Sequence, residues 1–283
     1  MALRCDERED RRTAMPDRVP EHPASGKQVC AVLVTYHPDA DLPRRLARIL
    51  NETGAVVVVD NGSGAAAVAM LERLPFGPSV SVILNPRNLG VASALNIGIR
   101  RAIELGYAWA LLLDQDSVPD EGMVEALIAV RAAFPDPSRL AVVGAAFRDV
   151  HRAGEGDAPI PIGAADAAQP WIEVQTVITS GSLIGLAQHA RIGPFREELF
   201  IDYVDAEYCF RARRLGYRVI QTREPLMAHA IGASTRHGRK WTSNHSPDRR
   251  YYIARNDTVM LREYGRFRFG LWAWKSLVRR LRT

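Results

Sequence analysis

Cysteine is scarce in this chain of 283 residues, which contains only Cys5, Cys30 and Cys209. An odd number of widely separated thiols offers neither a disulfide framework nor the paired spacing of a zinc site, so we expect a protein of the reducing cytosol. The sequence also lacks an apolar run long enough to cross a membrane. Its first residues lack the apolar core of a signal peptide. These absences disfavour the secreted, disulfide-rich class and the membrane-spanning class.

Positive charge is concentrated near the end of the chain. The formal net charge is +5, but residues 236–283 carry 13 Lys and Arg against 3 Asp and Glu, so the remainder is acidic overall. A basic segment of this kind favours an anionic partner. Nucleic acid is the weaker choice, because no recognised nucleic-acid motif accompanies the charge. Residues 267–281 place apolar and basic side chains on separate helical stripes, which predicts a helix that either lies on an anionic membrane or docks on the protein body.

Hydrophobic periodicity begins at Val29, after a charged, proline-containing stretch over residues 1–27 that we expect to be a disordered leader. Five apolar strand segments then alternate with four helical segments. The predicted strands cover residues 29–35, 55–59, 80–84, 109–113 and 140–146, and the predicted helices cover residues 41–51, 65–74, 91–105 and 119–134. This alternation predicts an α/β fold with a mostly parallel central sheet and helices on both faces.

The pattern is less regular after residue 146. We expect a loop over residues 147–170, strands at 174–178 and 217–221, a small-residue turn at 180–182, and helices at 186–192 and within 200–215. Short apolar runs of this kind are weaker signals than the alternation that precedes them.

Polar residues follow four successive predicted strands, at the points where the strands end. They are Thr35 and Tyr36, Asp60 and Asn61, Arg87 and Asn88, and Asp114 and Asp116. In sheets of this kind, ligands bind beyond the carboxyl ends of the strands. We therefore expect these side chains to form one polar rim.

Asp114 and Asp116 are the most informative members of this rim. Residues spaced i, i+2 in an extended strand point to the same side, and two carboxylates that close repel each other unless a positive charge lies between them. Mg²⁺ or Mn²⁺ suits such oxygen ligands and leaves positions for substrate phosphates. The pair thus indicates metal-assisted transfer from a diphosphate-bearing donor. The alternative is an ordinary pair of turn aspartates after a strand.

Seven motifs occur in order along residues 29–260: VLVTYHP, VVVDNGS, NPRNLGVASALNIGI, LLLDQDSVP, TSGSLIG, FIDYVDAEYCFRARRLGY and RRYYIARN. Together they resemble the family 2 glycosyltransferases of the GT-A nucleotide-sugar fold. Several are especially similar to bacterial rhamnosyltransferases that build cell-surface polysaccharide. The resemblance implies a catalytic domain over residues 28–240, with a nucleotide-binding half to about 146 and an acceptor half after it. A basic helical extension would follow over residues 241–283.

The resemblance also implies a donor and metal site. Asp60 is expected to accept an N–H of the nucleotide base, and Arg87 to reach the base or the diphosphate. Asp116 is expected to hold Mg²⁺ or Mn²⁺ most directly, with Asp114 on the ribose or the metal and His229 completing the metal site. The implied donor-binding residues are Thr35, Tyr36, Asp60, Arg87, Asn88, Asp114, Ser180 and Gly181. A structural role remains the alternative for Asp60, Arg87 and His229.

Asp205 is the candidate catalytic base, since family members carry an acidic group near the acceptor in this motif. A carboxylate within hydrogen-bond reach can take the proton of a sugar hydroxyl as that hydroxyl attacks. Asp202 and Glu207 compete for this role and are expected at least to contact the acceptor. Arg249 and Arg250 are expected to grip a phosphate of the donor or of a lipid acceptor, or else to be surface charge.

The resulting hypothesis is an inverting, metal-dependent rhamnosyltransferase. It would use dTDP-L-rhamnose and a glycan or polyprenyl-diphosphate-linked glycan acceptor, in the cytoplasm or on the inner face of the cell membrane. One alternative is the same reaction with a hexosamine or galactofuranose donor. Another is an inactive sugar-nucleotide-binding homologue, which is disfavoured because the base, metal and acid positions are all occupied.

Overall fold

The computed structural model describes residues 25–150, 161–162, 166–229, 234–237, 240–243 and 245–265. The strands in this part of the chain are β1 (Val29–Thr35), β2 (Ala55–Asp60), β3 (Val80–Leu84), β4 (Trp109–Asp114), β5 (Val118–Pro119), β6 (Leu140–Asp149), β7 (Trp171–Glu173), β8 (Ser182–Gly185), β9 (Arg218–His229), β10 (Ser234–His237) and β11 (Lys240–Ser243). The α-helices are α1 (Leu42–Glu52), α2 (Ala65–Glu72), α3 (Val91–Glu104), α4 (Met123–Ala133), α5 (Leu186–Ile192), α6 (Val204–Arg214) and α7 (Pro247–Tyr264). The helix predicted at 267–281 lies outside the described residues. So does most of the predicted leader, although Gly26–Gln28 at its end form a 3₁₀ turn.

One nine-stranded sheet organises the molecule, in the order β3-β2-β1-β4-β8-β6-β9-β5 with β7 also paired to β9. Neighbouring strands are parallel between β3 and β2, β2 and β1, β1 and β4, and β6 and β9. The short strands β5, β7 and β8 run antiparallel to their neighbours. The long strands thus share one direction, which confirms the predicted α/β fold with a mostly parallel sheet.

Separate apolar clusters cover the two faces of this sheet. Cys30 and Val32 of β1 pack into the cluster that contains α3, α5 and α6, whereas Val29 and Ala31 pack into the cluster that contains α1 and α4. Every residue of β1 and β2 is buried, which is why these strands read as unbroken apolar runs. No helix in the described part of the chain combines the length and apolar character needed to cross a membrane.

The start of α4 differs from the prediction. Pro119, expected in the first turn of that helix, lies in β5 and pairs with Met227 of β9. β5 is the last strand in the sheet order, and at such an edge the missing N–H of proline leaves no ladder bond unmade. The prediction was wrong because proline suits both an edge strand and the first turn of a helix.

The acceptor half of the sheet also departs from the sequence pattern. The strand expected at 174–178 lies earlier, at Trp171–Glu173. The predicted turn leads directly into β8, which the pattern did not separate from the helix that follows it. β8 is inserted between β4 and β6. A four-residue buried strand running straight into a helix has too few residues to show its own period.

Gly90, which immediately precedes α3, joins the two halves of the molecule. Its φ is 86°, and a Cβ at this position would lie 2.7 Å from the carbonyl oxygen of Phe200. The next residue, Val91, donates its N–H to that same oxygen over 2.7 Å. The backbone after β3 therefore touches the segment before α6, and only glycine fits at the contact.

We expect Gly90→Ala to lower the free energy of unfolding by roughly 2–4 kcal/mol, because it adds a steric clash to backbone strain. Gly106→Ala is the matched control, since Gly106 has a similar φ of 83° but nothing within 4 Å of its Cβ position. The control should lose only about 1 kcal/mol from the backbone strain. Urea unfolding would measure both values, and equal losses would contradict a role for the contact with Phe200.

Candidate active site

The carboxyl ends of β1 and β2 are held together by Asp60. Its buried carboxylate accepts hydrogen bonds from Thr35 Oγ1 over 3.0 Å, from the Ser63 N–H over 2.8 Å and from Ser63 Oγ over 2.5 Å. Thr35 and Asp60 also lie opposite each other in the parallel register. Asp60 therefore fixes the loop after β2, and its contact with a nucleotide base remains a prediction.

A network of asparagine side chains shapes the loops after β2 and β3. Asn88 Oδ1 accepts from Asn61 Nδ2 over 2.8 Å and from the Gly90 N–H over 2.9 Å. Asn61 Oδ1 in turn accepts from Asn85 Nδ2 over 3.1 Å. The side chain of Arg87 is exposed between these anchored residues. The sequence predicted Asn61 only as a member of the polar rim and did not indicate this network, although the Asn-Gly pair after β2 is a turn signal.

Gln115, between the two aspartates, ties the acidic loop to β1. Its Oε1 accepts the Tyr36 N–H over 2.8 Å, and its Nε2 donates to the Tyr36 carbonyl oxygen over 3.1 Å. This pair of bonds sets the position of the flanking carboxylates relative to the end of β1. No pattern in the sequence indicates this role, because the middle residue of such a triplet points away from its neighbours. The Tyr36 side chain itself is exposed.

Asp114, Asp116 and His229 form a compact group of possible metal ligands. One ligand atom from each lies within 4.8 Å of the others, and His229 Nδ1 is 3.6 Å from Asp116 Oδ1. The structure therefore brings together the three residues that the sequence predicted for the metal site. Two carboxylates and an imidazole are a donor set that suits Mn²⁺ or Mg²⁺.

The protonation chemistry of this group fits a cation site. Burial raises the pKa of Asp114 to about 7, and the negative charges of Asp116 and Asp205 act in the same direction. Burial lowers the pKa of His229, although the charge of Asp116 opposes this effect. A neutral imidazole offers a lone pair to a metal, and a divalent cation would relieve the repulsion between the carboxylates.

Two serines lie behind the metal-ligand group. Ser180 is fully buried, and its Oγ accepts the Asp114 N–H over 3.2 Å. Ser117 Oγ is hydrogen bonded to Ser180 Oγ and lies 3.1 Å from His229 Nδ1. Ser180 thus contacts the backbone of Asp114 directly and is linked to His229 through Ser117. The Cβ position of Gly181 would be 2.9 Å from Ala145 Cβ and 2.6 Å from Met227 Sδ, and its φ is 78°, so a side chain here would be both crowded and strained. Its contact with the donor remains a prediction.

Asp205 and Asp202 reach the same region from the other half of the fold. Asp205 lies in the first turn of α6 and accepts the Ala206 N–H over 2.7 Å. Burial raises its pKa to about 6, against the opposing effect of that backbone bond. Asp202 makes a two-pronged ion pair with Arg249, with both N–O distances at 3.0 Å. The charge of Arg249 also reaches Asp114 and opposes the rise in its pKa.

Glu207 is bonded away from this group, and the acceptor contact expected for it remains a prediction. Its carboxylate is buried and is bonded to Arg211 over 3.0 and 2.9 Å and to the Tyr264 hydroxyl over 2.8 Å. Residues two positions apart along a helix point in different directions, which is why the Asp205 and Glu207 carboxylates have different hydrogen-bond partners. Arg250 is exposed on α7, and a phosphate contact for it remains a prediction.

Comparisons with known proteins agree with the observed fold. The sequence model of glycosyl transferase family 2 matches residues 30–151. The chain is 31% identical over 245 residues to the dTDP-rhamnosyl transferase RfbF of Shigella flexneri, which covers 83% of this chain and 80% of that protein.

Two solved structures show a similar fold. One is the mannosyltransferase PcManGT from Pyrobaculum calidifontis in complex with GDP-Man and Mn²⁺, with a TM-score of 0.55, 19% identity and 77% of this chain covered. The other is residues 1–349 of S. aureus TarS in complex with UDP-GlcNAc, with a TM-score of 0.54, 17% identity and 82% of this chain covered. The chain spans 61% and 66% of these two chains.

We expect Asp116→Asn to weaken Mn²⁺ binding more than about tenfold, because it removes an anionic ligand from the group. The Asp116 side chain is 46% exposed, so the protein should remain folded. Asp120→Asn is the matched control, because Asp120 lies only four residues further along the chain, just after β5, but is paired with Arg148. Titration calorimetry with Mn²⁺ would measure both, and equal weakening would indicate a general charge effect instead of ligation.

Proposed function

The chain belongs to glycosyl transferase family 2, and we propose that it transfers L-rhamnose from dTDP-L-rhamnose to a hydroxyl of a glycan or lipid-linked glycan. The observation that supports the transferase part is electrostatic: the negative charge of Asp205 helps to raise the pKa of Asp114, a member of the group formed with Asp116 and His229. We propose that this candidate base and this candidate cation site face the same bound donor. The similarity to RfbF supports the choice of donor.

Asp205 is the proposed base. Its raised pKa makes the carboxylate a stronger proton acceptor than an ordinary aspartate, while it remains ionised near neutral pH. It would remove the proton of the acceptor hydroxyl as that oxygen attacks the anomeric carbon. Attack from the side opposite the leaving diphosphate inverts the anomeric centre in one step.

The donor would lie along the ends of β1, β2 and β4. Asp114, Asp116 and His229 would hold Mg²⁺ or Mn²⁺, which when bound offsets the charge that develops on the leaving diphosphate. The charge of Arg249 acts on Asp114 and opposes the rise in the pKa of that carboxyl, and we propose that Arg249 contacts a phosphate. Arg87, exposed on the loop after β3, would reach the base or the diphosphate.

A different nucleotide sugar is the second candidate donor. The two solved structures of similar fold hold GDP-Man and UDP-GlcNAc, so this architecture accepts more than one base and more than one sugar. We place the reaction at the cytoplasmic face of a membrane, where the basic segment at 267–281 would contact anionic lipid. That placement is supported by the sequence of the segment alone.

We expect dTDP-L-rhamnose with Mn²⁺ to raise the melting temperature more than UDP-GlcNAc or GDP-mannose, because a ligand that binds only the folded state stabilises it by mass action. Thermal unfolding with each donor at equal concentration would measure this. dTDP alone is the control for recognition of the nucleotide. Stronger stabilisation by another donor would leave the transferase proposal intact and overturn the choice of rhamnose.

The pH dependence of turnover tests the base. Because Asp205 must be ionised to accept a proton, kcat should be constant above its pKa of about 6 and fall roughly tenfold per pH unit below it. Asp205→Asn should lower kcat by about 10²–10⁴ at pH 7.5 and remove this limb. Asp202→Asn is the comparison, and it should keep the acid limb. If Asp202→Asn removed the limb and Asp205→Asn kept it, Asp202 would be the base.

A further inference from the structure

The segment before α6 has an unusual backbone. Phe200, Asp202 and Tyr203 have φ values of 63°, 63° and 66°, in a region that residues with side chains rarely occupy. Such conformations persist only where the surrounding structure holds them in place. The segment carries Asp202 and leads directly into the first turn of α6, where Asp205 lies.

Asn256 of α7 holds this segment through its side-chain amide. The residue is fully buried, and its Nδ2 lies 2.9 Å from the carbonyl oxygens of Leu199, Ile201 and Asp202. Its Oδ1 accepts from Arg255 Nε over 3.0 Å and from Arg255 Nη2 over 2.8 Å. An amide NH₂ has only two hydrogens, so the three carbonyl oxygens converge on a single donor group.

Other residues of α7 contact the same segment. The ring of Tyr252 stacks on Phe200 with 4.7 Å between centroids and an interplanar angle of 14°. Asp257 accepts a hydrogen bond from the Tyr203 hydroxyl. Together with the Arg249–Asp202 ion pair, these contacts make α7 the element that holds the strained segment.

The position of Asp205 depends on this segment. The Tyr203 carbonyl oxygen accepts the Glu207 N–H over 2.8 Å, which is the first helical bond of α6. A displacement of residues 199–203 would therefore move the first turn of α6 and the Asp205 carboxylate with it. The donor-side residues on β1, β2 and β4 have separate supports, as described above.

We propose that Asn256 is a positioning residue that sets the place of the base Asp205 by fixing the backbone of residues 199–203. This role rests on the proposed function, because it concerns the reaction assigned to Asp205. Its effect would fall on the chemical step, since a misplacement of about 1 Å is enough to slow an aligned reaction about 100-fold.

The test compares Asn256→Ala with Asn96→Ala. Asn96 is a matched control because it is also buried and also holds backbone by its amide, with Nδ2 at 2.9 Å from the Phe195 carbonyl oxygen and Oδ1 at 2.9 Å from the Phe195 N–H. Its side chain also donates to Glu197 Oε1 over 2.9 Å, but none of its side-chain hydrogen bonds goes to residues 199–203. Both variants should lose similar stability, which thermal unfolding would verify.

Only Asn256→Ala should lose turnover. We expect its kcat to fall about 10- to 100-fold with donor KM within about twofold of wild type. Asn96→Ala should keep kcat within about threefold. Equal kcat losses in the two variants, or a loss in donor KM alone for Asn256→Ala, would overturn the positioning role.

Hydrogen exchange tests, without any substrate, whether Asn256 fixes the backbone of residues 199–203. Amides of residues 199–207 should exchange faster in Asn256→Ala than in Asn96→Ala, because only the first variant releases the strained segment. If wild type turned over no donor, the proposed function would fail, while this comparison would still decide whether Asn256 holds the segment. Equal exchange in both variants would overturn the role of Asn256 in holding residues 199–203.

Tyr203→Phe covers the case in which Asn256→Ala does not fold. It removes one hydroxyl that binds Asp257 of α7 and leaves the ring in place. We expect a kcat reduction of about three- to tenfold at unchanged donor KM. Wild-type kcat in this variant, together with unchanged exchange over residues 199–207, would overturn the proposal.

Discussion

Repulsion among carboxylates is the constraint on which the rest of this site depends. Asp114, Asp116 and Asp205 approach one another closely enough that the last two raise the pKa of the first. Negative charge gathered in a partly buried place is unfavourable unless a cation shares it. The protein supplies part of this compensation through Arg249, which is itself shared with Asp202. The remaining excess of negative charge is what makes the site suited to a divalent cation and, through that cation, to a diphosphate.

The sheet topology brings these charges together. β1 and β4 are parallel neighbours, so their carboxyl ends meet at one edge, and Gln115 ties the acidic loop to that edge. The antiparallel strand β8 adds a turn at this edge of the sheet, which a uniformly parallel sheet would lack. Because β8 begins where β4 ends, the turn before it places Ser180 against the Asp114 N–H. The reversal therefore gives the metal-ligand group a polar support from within the sheet.

The two halves of the site differ in how far sequence could predict them. The donor half consists of strand ends whose polar residues follow apolar runs directly, so Asp60, Asp114 and Asp116 could be found by position in the chain. Gln115 could not, because its partner is the backbone of Tyr36, 79 residues away. Glu207 has one local and one distant partner. Arg211 lies four residues further along α6, at the spacing of a helical ion pair. Tyr264 lies 57 residues away, and no local pattern indicates that bond.

The acceptor half is held together by contacts between segments that lie far apart in the sequence, and α7 makes several of these contacts. The sequence placed that helix in an extension beyond the catalytic domain, yet Met260 and Tyr264 pack in one apolar cluster with Tyr203, Ala206 and Phe210. The same helix supplies the ion pair to Asp202 and the amide that meets three carbonyl oxygens. A backbone with left-handed residues at three of four positions has little tendency to form by itself. The geometry of the candidate base therefore depends on α7, whereas the metal-ligand group is built from the ends of β4 and β9 and from the loop between β4 and β5.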